Sequence, residues 1–536
     1  MKPIRELNLG FGDAENYRRR ENKDLFNTIF VKNEFLDKLL DLSSYFLIGE
    51  KGTGKTAYSV FLNNNEYKET ISHLKYLRET DYQKFVTLKT EKHLQLSDYA
   101  SIWKVIILLL LAKSISTEEI NNNPFARNRR IKAILQAIDD YYRNAFAPEI
   151  LYALKWIEDT KVAAELITKY LKVTGEGGGS STVEESRFQV NLLYVQHQLE
   201  TALSSIKLRR NHILFVDGID IRPGTIPYTD YLDCVKGLAN AVWSINNDFF
   251  SAIKDSPGRF RTVLLVRPDI FNSIGLQNLT NKVRDNSVFL DWRTTYPYYR
   301  NSKIFELSDR LLSSQQLDKD TFPLGSAWDY YFPWKLTSSN FDRDFDPSFI
   351  AFLRASYSRP RDIVTMVSLL HEEFITNNRP LDSVFPQEDF QSHEFQNKYS
   401  EYLMGGIKDQ LAFYYDAEDY AMFLHFFNFL DGMAEFDYQT YGKAYDSFTD
   451  YVLNKHDDIP EFVETSEGFL QFLYDTNILC YIEDTKSEPL FRWCYRERSP
   501  SNISPKAKPG LRYRIHYGLF KALNVGFTPR LHKGRS

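Results

Sequence analysis

Eight consecutive residues, Gly49-Glu50-Lys51-Gly52-Thr53-Gly54-Lys55-Thr56, satisfy the pattern G-x-x-x-x-G-K-[ST] at every fixed position. Each residue type there has a physical task. The glycines let the backbone curl so that successive N–H groups converge on an anion. A lysine at position 55 reaches the β- and γ-phosphates of a nucleoside triphosphate, and the Thr56 hydroxyl ligates magnesium. Ala57 opens the helix behind the loop, whose positive end points at the same anion. The apolar run Tyr45-Phe46-Leu47-Ile48 precedes the loop and a helical pattern to Leu62 follows it, which is the strand–loop–helix context this chemistry requires. Gly49 through Ala57 are therefore the candidate phosphate-binding residues, for ATP with Mg2+; the absence of an N-K-x-D guanine motif leans toward ATP over GTP.

Such a site needs a second carboxylate on the magnesium side, at the end of a neighbouring strand. Ile213-Leu214-Phe215-Val216-Asp217 supplies four apolar residues and then an acid, so Asp217 is expected to support the metal through water. The usual catalytic glutamate does not follow; Gly218, Ile219 and Asp220 do. Asp220 either orients the attacking water or is a surface acid or helix cap. Binding is thus more firmly implied than hydrolysis, and slow, switch-like turnover is expected. The strand Thr262–Val266 ends in Arg267-Pro268-Asp269, where either Arg267 or Asp269 senses the nucleotide or a structural salt bridge forms. Arg284 just precedes the next strand, where ring-forming ATPases often present an arginine to a neighbouring subunit. In Tyr357-Ser358-Arg359-Pro360-Arg361-Asp362, Pro360 suits the first helical position. Arg361 then opposes the helix dipole and calls for an anion, either Asp362 or the nucleotide. The catalytic candidates are Lys55, Asp217, Asp220 and Arg284; Arg267 and Arg361 join the loop as candidate nucleotide contacts, and Thr56 and Asp217 are the candidate metal residues.

These residues must be positioned by an alternation of strands and helices. Strand patterns occur at 45–48, 85–89, 212–216, 262–266 and 287–290, separated by helical segments, which argues for a parallel sheet covered by helices. Residues 98–205 carry a helical pattern and form an expected insertion. Its Gly-rich stretch Thr174–Thr182 has neither the preceding strand nor the following lysine of a nucleotide loop, and reads as a loop by composition. The expected fold is α/β: a P-loop NTPase domain over residues 1–300, a helical lid over 301–400, and a helical plus winged-helix-like domain over 401–536. In the last, a helix at 467–474 is followed by strands at 478–482, 491–495 and 513–516 and a terminal helix at 519–523. No internal repeat is visible.

At 536 residues, two to four domains are expected. A composition 43% hydrophobic and 26% charged is that of a globular protein, and the 15% aromatic share suits large aromatic cores. Cys234, Cys480 and Cys494 are too scattered for a disulfide framework or zinc site, which suits a reducing cytoplasm. The longest apolar run, Val105–Ala112, is far short of the roughly 20 residues a membrane span needs and reads as a buried helix. The net charge of −5 conceals a segregation. Residues 401–490 hold 19 acids and 4 bases, and residues 492–536 hold 11 bases and one acid. Either the two segments pack on each other, or Arg492, Arg496, Arg498, Lys506, Lys508, Arg512 and Arg514 form a basic wing that meets DNA phosphates. His516 lacks a spaced partner for a metal and reads as a core or turn histidine.

Taken in order, strand, loop, Asp217-Gly218-Ile219-Asp220, Ser358-Arg359-Pro360-Arg361 and winged-helix-like end, the chain resembles the STAND and origin-recognition-like branches of the AAA+ superfamily. It departs from the STAND pattern at Gly218, where that group prefers an acid, and at Ser358, where its lid motif has glycine. It also resembles bacterial and prophage P-loop ATPases of the FunZ phage-exclusion type. The residues carrying that likeness are Leu9–Glu15, Phe46–Thr56, Phe215–Asp220 and Arg514–Leu519. The resemblance implies a homo-oligomeric ATP switch acting in anti-phage defence, with a separate effector or a phage-derived trigger. Two alternatives stand beside it: an ATP-regulated DNA-binding protein, and a non-hydrolysing nucleotide-bound scaffold.

Overall fold

Phe46–Ile48 (β1) has no solvent-exposed residue, and Phe260–Val266 (β4) is buried along its whole length. Burial of this kind belongs to strands covered on both faces. With Thr70–Tyr76 (β2), Asn211–Asp217 (β3) and Ser287–Phe289 (β5) they form a five-stranded parallel sheet in the order β2-β3-β4-β1-β5. Register pairs Phe46 with Leu264, Ile48 with Val266, Val216 with Leu264 and Tyr76 with Asp217. Ile48, Asp217 and Val266 therefore end on one edge, which is where parallel sheets present their ligand sites.

The structure is a computed structural model that describes residues 1–77, 96–120, 124–144, 185–224, 226–276, 278–317, 322–336, 346–380, 384–455, 459–486 and 489–526. The expected strand at 85–89 and the Gly-rich stretch 174–182 lie outside the described residues. Strand β2 was not expected. Its apolar residues Ile71, Leu74 and Tyr76 follow neither a run nor an alternation, because it is a sheet-edge strand held mainly by its pairing with β3.

Two compact units emerge from the contacts: Phe35–Ile48 with Lys55–Val288, and Met1–Glu34 with Gly49–Gly54 and Phe289–Ser536. The first contains the sheet. Lys55–Asn64 (α1) leads from β1 to β2 and so crosses the level of β4 and β3. Between β2 and β3 lie Leu96–Ser114 (α2), Pro124–Asn144 (α3) and Glu185–Ser204 (α4). The apolar run in α2 is buried against Tyr228–Ser244 (α5), with Trp103 Nε1 donating to the Cys234 carbonyl at 3.2 Å. A Cβ on Gly237 of α5 would lie 2.5 Å from Tyr99 Cβ, so glycine sets the closeness of these two helices. No described helix is long and apolar enough to cross a membrane.

The second unit is helical and aromatic. Lys303–Ser313 (α6) and Ser348–Ala355 (α7) pack through Phe305, Trp328, Phe349 and Phe352, with ring centroids 4.9 Å apart for Phe305–Phe349 and 5.0 Å for Trp328–Phe352. Pro360–Thr376 (α8) has Pro360 in its first turn, as expected. His393–Leu411 (α9) follows. Glu435–Phe436 (β6), Tyr438–Lys455 (α10), Ser466–Asp475 (α11), Leu479–Asp484 (β7), Pro489–Trp493 (β8) and Arg512–Ile515 (β9) complete the chain, the strands forming an antiparallel sheet in the order β8-β7-β9-β6. The terminal helix expected at 519–523 is instead a 3-10 turn at Tyr517–Leu519. His516 is buried in the core, with Nε2 3.2 Å from the Ser356 carbonyl, and burial lowers its pKa to about 3. A Cβ on Gly518 would lie 2.6 Å from the Ala355 carbonyl, so the Arg514–Leu519 segment is a close-packing device.

Candidate functional site

Within the sheet unit, Thr56 Oγ1 donates to Asp217 Oδ2 at 2.7 Å, although the two residues are 161 positions apart. The expectation that Asp217 sits on a strand neighbouring β1 is corrected: β4 lies between them. The contact forms because α1 must travel over β4 and β3 to reach β2, which carries its first turn toward the end of β3. The other Asp217 oxygen accepts from Gly218 N at 2.8 Å. Lys55 is buried beside them. Burial, reinforced by the nearby Asp220 charge, pushes the Asp217 carboxyl up to about 6; the Thr56 hydrogen bond, the Lys55 charge and the Gly218 N–H act in the opposite direction.

Gly218 occupies positive φ (+93°), and a Cβ there would stand 2.3 Å from the Leu77 carbonyl. A side chain at position 218 is thus excluded sterically, because the chain just past the end of β2 approaches too closely. Asp220 is half-buried in the following turn. That turn is fixed by Tyr231, fully buried, whose hydroxyl lies 2.8 Å from the Ile219 carbonyl and 3.0 Å from the Ile221 carbonyl. Sequence reasoning did not single out Tyr231. Arg267 is buried at the end of β4 and makes a bidentate pair with Asp269 at 3.1 and 2.7 Å, the salt bridge that was one of its two expected roles. Arg284 is exposed and pairs with adjacent Asp285.

The loop residues Gly49–Gly54 cluster with the second unit. Gly52 and Gly54 both take positive φ (+89° and +96°), which glycine alone adopts at little cost. Four successive carbonyls of this loop are engaged. That of Glu50 accepts from Thr53 Oγ1 at 2.8 Å, that of Lys51 from Arg359 Nη1 at 2.9 Å, that of Gly52 from Arg361 N at 3.3 Å, and that of Thr53 from Trp292 Nε1 at 2.8 Å. The side chains at the variable positions are also held: Lys51 pairs with Asp409, and Glu50 with Arg498.

Arg359 rather than Arg361 reaches the loop with its guanidinium. Arg359 is clamped by two 2.9 Å bonds to Asp362, which is fully buried and also accepts from Tyr402 Oη at 3.1 Å and Tyr357 N at 3.0 Å. Against the desolvation that burial imposes, the Asp362 carboxylate holds Arg359 above its usual pKa. Arg361 Nε donates to the Gly12 carbonyl at 2.9 Å, in the Leu9–Glu15 segment. The signal for Arg359 was present in Arg359-Pro360-Arg361-Asp362, since i to i+3 spacing puts Arg359 beside Asp362.

The segregated C-terminal charges meet one another. Arg492 pairs with Glu483 and Glu497, Lys508 with Glu483, Arg512 with Glu435 and Asp484, and Arg514 with Glu435. Arg496 lies over the Tyr296 and Tyr495 rings, 5.6 and 5.7 Å from their centroids. Among the described residues, no group of three or more His, Cys, Asp or Glu converges as a metal cage. No protein-family model matches this chain, and neither the curated proteins nor the solved structures contain a significant match.

Proposed function

We propose that this chain is an ATP-binding, magnesium-dependent P-loop switch protein that hydrolyses ATP slowly. The observation carrying this reading is the 2.7 Å hydrogen bond between Thr56 and Asp217, because the two residues chosen for magnesium from unrelated stretches of sequence are in direct contact. A hydroxyl and one carboxylate suit magnesium, which keeps several waters and takes its remaining ligands from phosphates. Held beside Thr56 and Asp217, the ion would supply charge neutralisation for the phosphates. The protein's part is to supply the loop Gly49–Ala57 for the phosphates, with Lys55 as its cation. The four engaged carbonyls of Glu50 to Thr53 support this, since a phosphate-binding loop must turn its carbonyls away from the anion.

Asp220, held in its turn by Tyr231, is the candidate for orienting the attacking water; with no carboxylate possible at Gly218, slow turnover follows. Arg284, exposed at the helix end before β5, suits a role toward a second copy in a homo-oligomer. The C-terminal helices and antiparallel sheet are the winged-helix-like part. Its basic residues are largely committed to local carboxylates, which favours a protein-contacting over a DNA-binding use. A role in anti-phage defence, with a separate effector, rests on the resemblance to the phage-exclusion ATPases.

The test is nucleotide binding and steady-state ATPase of the wild type and Lys55→Ala, with and without duplex DNA, alongside sizing in ATP. Binding that is lost in Lys55→Ala supports the reading. Equal nucleotide affinity in the two proteins, or none in either, refutes it. Tight binding without turnover in any condition would leave a nucleotide-bound scaffold.

A further inference from the structure

Position 50 is an unconstrained place in the loop pattern, and this chain puts a glutamate there. A carboxylate in a loop that takes a triphosphate has the wrong sign, so its charge needs an answer. The Glu50 side chain is only 16% exposed and pairs with Arg498 Nη1, while Asn477 Nδ2 lies 3.4 Å from its other oxygen. Arg498, itself 6% exposed, follows β8 and donates through Nη2 to the Asp475 carbonyl at 3.1 Å, at the C-terminal end of α11. A helix end with its unsatisfied carbonyls is a favourable seat for a cation. The guanidinium is therefore fixed from one side by α11 while it meets the loop carboxylate on the other. The anchor is some 450 residues from the loop in sequence.

We propose that Arg498 is a positioning residue of the nucleotide loop: it neutralises Glu50, so that the C-terminal sheet domain sets the affinity of the loop for triphosphate. This rests on the ATP reading above. Without the guanidinium, the Glu50 carboxylate brings its negative charge to the loop less compensated; without the Glu50 carboxylate, the guanidinium, whose other carboxylate neighbour is Asp475 at 3.9 Å, adds to the attraction. The two substitutions therefore shift affinity in opposite directions, an outcome that loss of packing cannot produce.

The experiment is titration of full-length protein with a fluorescent ATP analogue and Mg2+, for wild type, Arg498→Gln, Glu50→Gln and the double variant, with thermal melting of each without nucleotide. Arg498→Gln weakens binding about tenfold, Glu50→Gln strengthens it by roughly two- to fivefold, and Glu50→Gln added to Arg498→Gln recovers most of the loss. A double variant as weak as Arg498→Gln would overturn the proposal and make Arg498 a packing residue. So would a Glu50→Gln protein, in which Arg498 is intact, that binds no more tightly than wild type. Wild type that binds no nucleotide would instead remove the ATP reading, and this inference with it.

Discussion

Replacing Asp217 by Asn tests the buried carboxylate that accepts from Thr56. Burial holds the Asp217 pKa near 6 in the folded protein, against an ordinary value of 3.8. The folded state thus binds the proton more tightly than the unfolded chain does. Stability from this group is fully present below about pH 4 and is lost as pH rises through about 6. A shift of about two units corresponds to about 3 kcal/mol. Asn is nearly isosteric and stays neutral. Without nucleotide or magnesium, Asp217→Asn should therefore match wild type near pH 3, and be more stable by about 1 kcal/mol at pH 4.5 and by about 3 kcal/mol at pH 7.5. Urea denaturation of both proteins at several pH values, followed by tryptophan fluorescence, measures the difference. A stability difference that does not change between pH 4.5 and 7.5 would refute the reasoning. So would Asp217→Asn being the less stable protein at pH 7.5.

Gly237→Ala should destabilise the sheet unit by about 1–2 kcal/mol, because the new methyl meets Tyr99 Cβ and the α2 backbone, and the gain in helix propensity offsets only part of that. A urea midpoint at or above that of wild type would count against it. Tyr231→Phe leaves the turn carbonyls of Ile219 and Ile221 without their hydroxyl, at a cost of about 1–3 kcal/mol. It should lower turnover more than ATP affinity, and a change in affinity with turnover intact would show that Asp220 is not what the turn positions.

The loop, the strands β1, β3, β4 and β5 and the buried helix α2 were legible in the chain, because each is a local matter. Continuous apolar residues make covered strands, and Gly, Lys and Thr at fixed spacing make one kind of loop. Local pattern also named Thr56 and Asp217. It did not reveal that β4 stands between their strands, since strand order depends on which way crossovers run rather than on any single segment. Nor could it show that position 218 has no room for a side chain: the obstacle is the Leu77 carbonyl, just past the end of β2. Arg359 had a visible partner in Asp362 but no visible target, because its target is a backbone carbonyl, and carbonyls carry no residue identity. The opposed charges of 401–490 and 492–536 were plain in the composition. That these bases lie beside those acids came from the antiparallel pairing of β6, β7, β8 and β9, which sets Arg492, Arg512 and Arg514 beside Glu483, Asp484 and Glu435. Sequence thus determines which groups are available for chemistry, while the fold determines which of them meet, since contact between distant residues is a property of the packed chain alone.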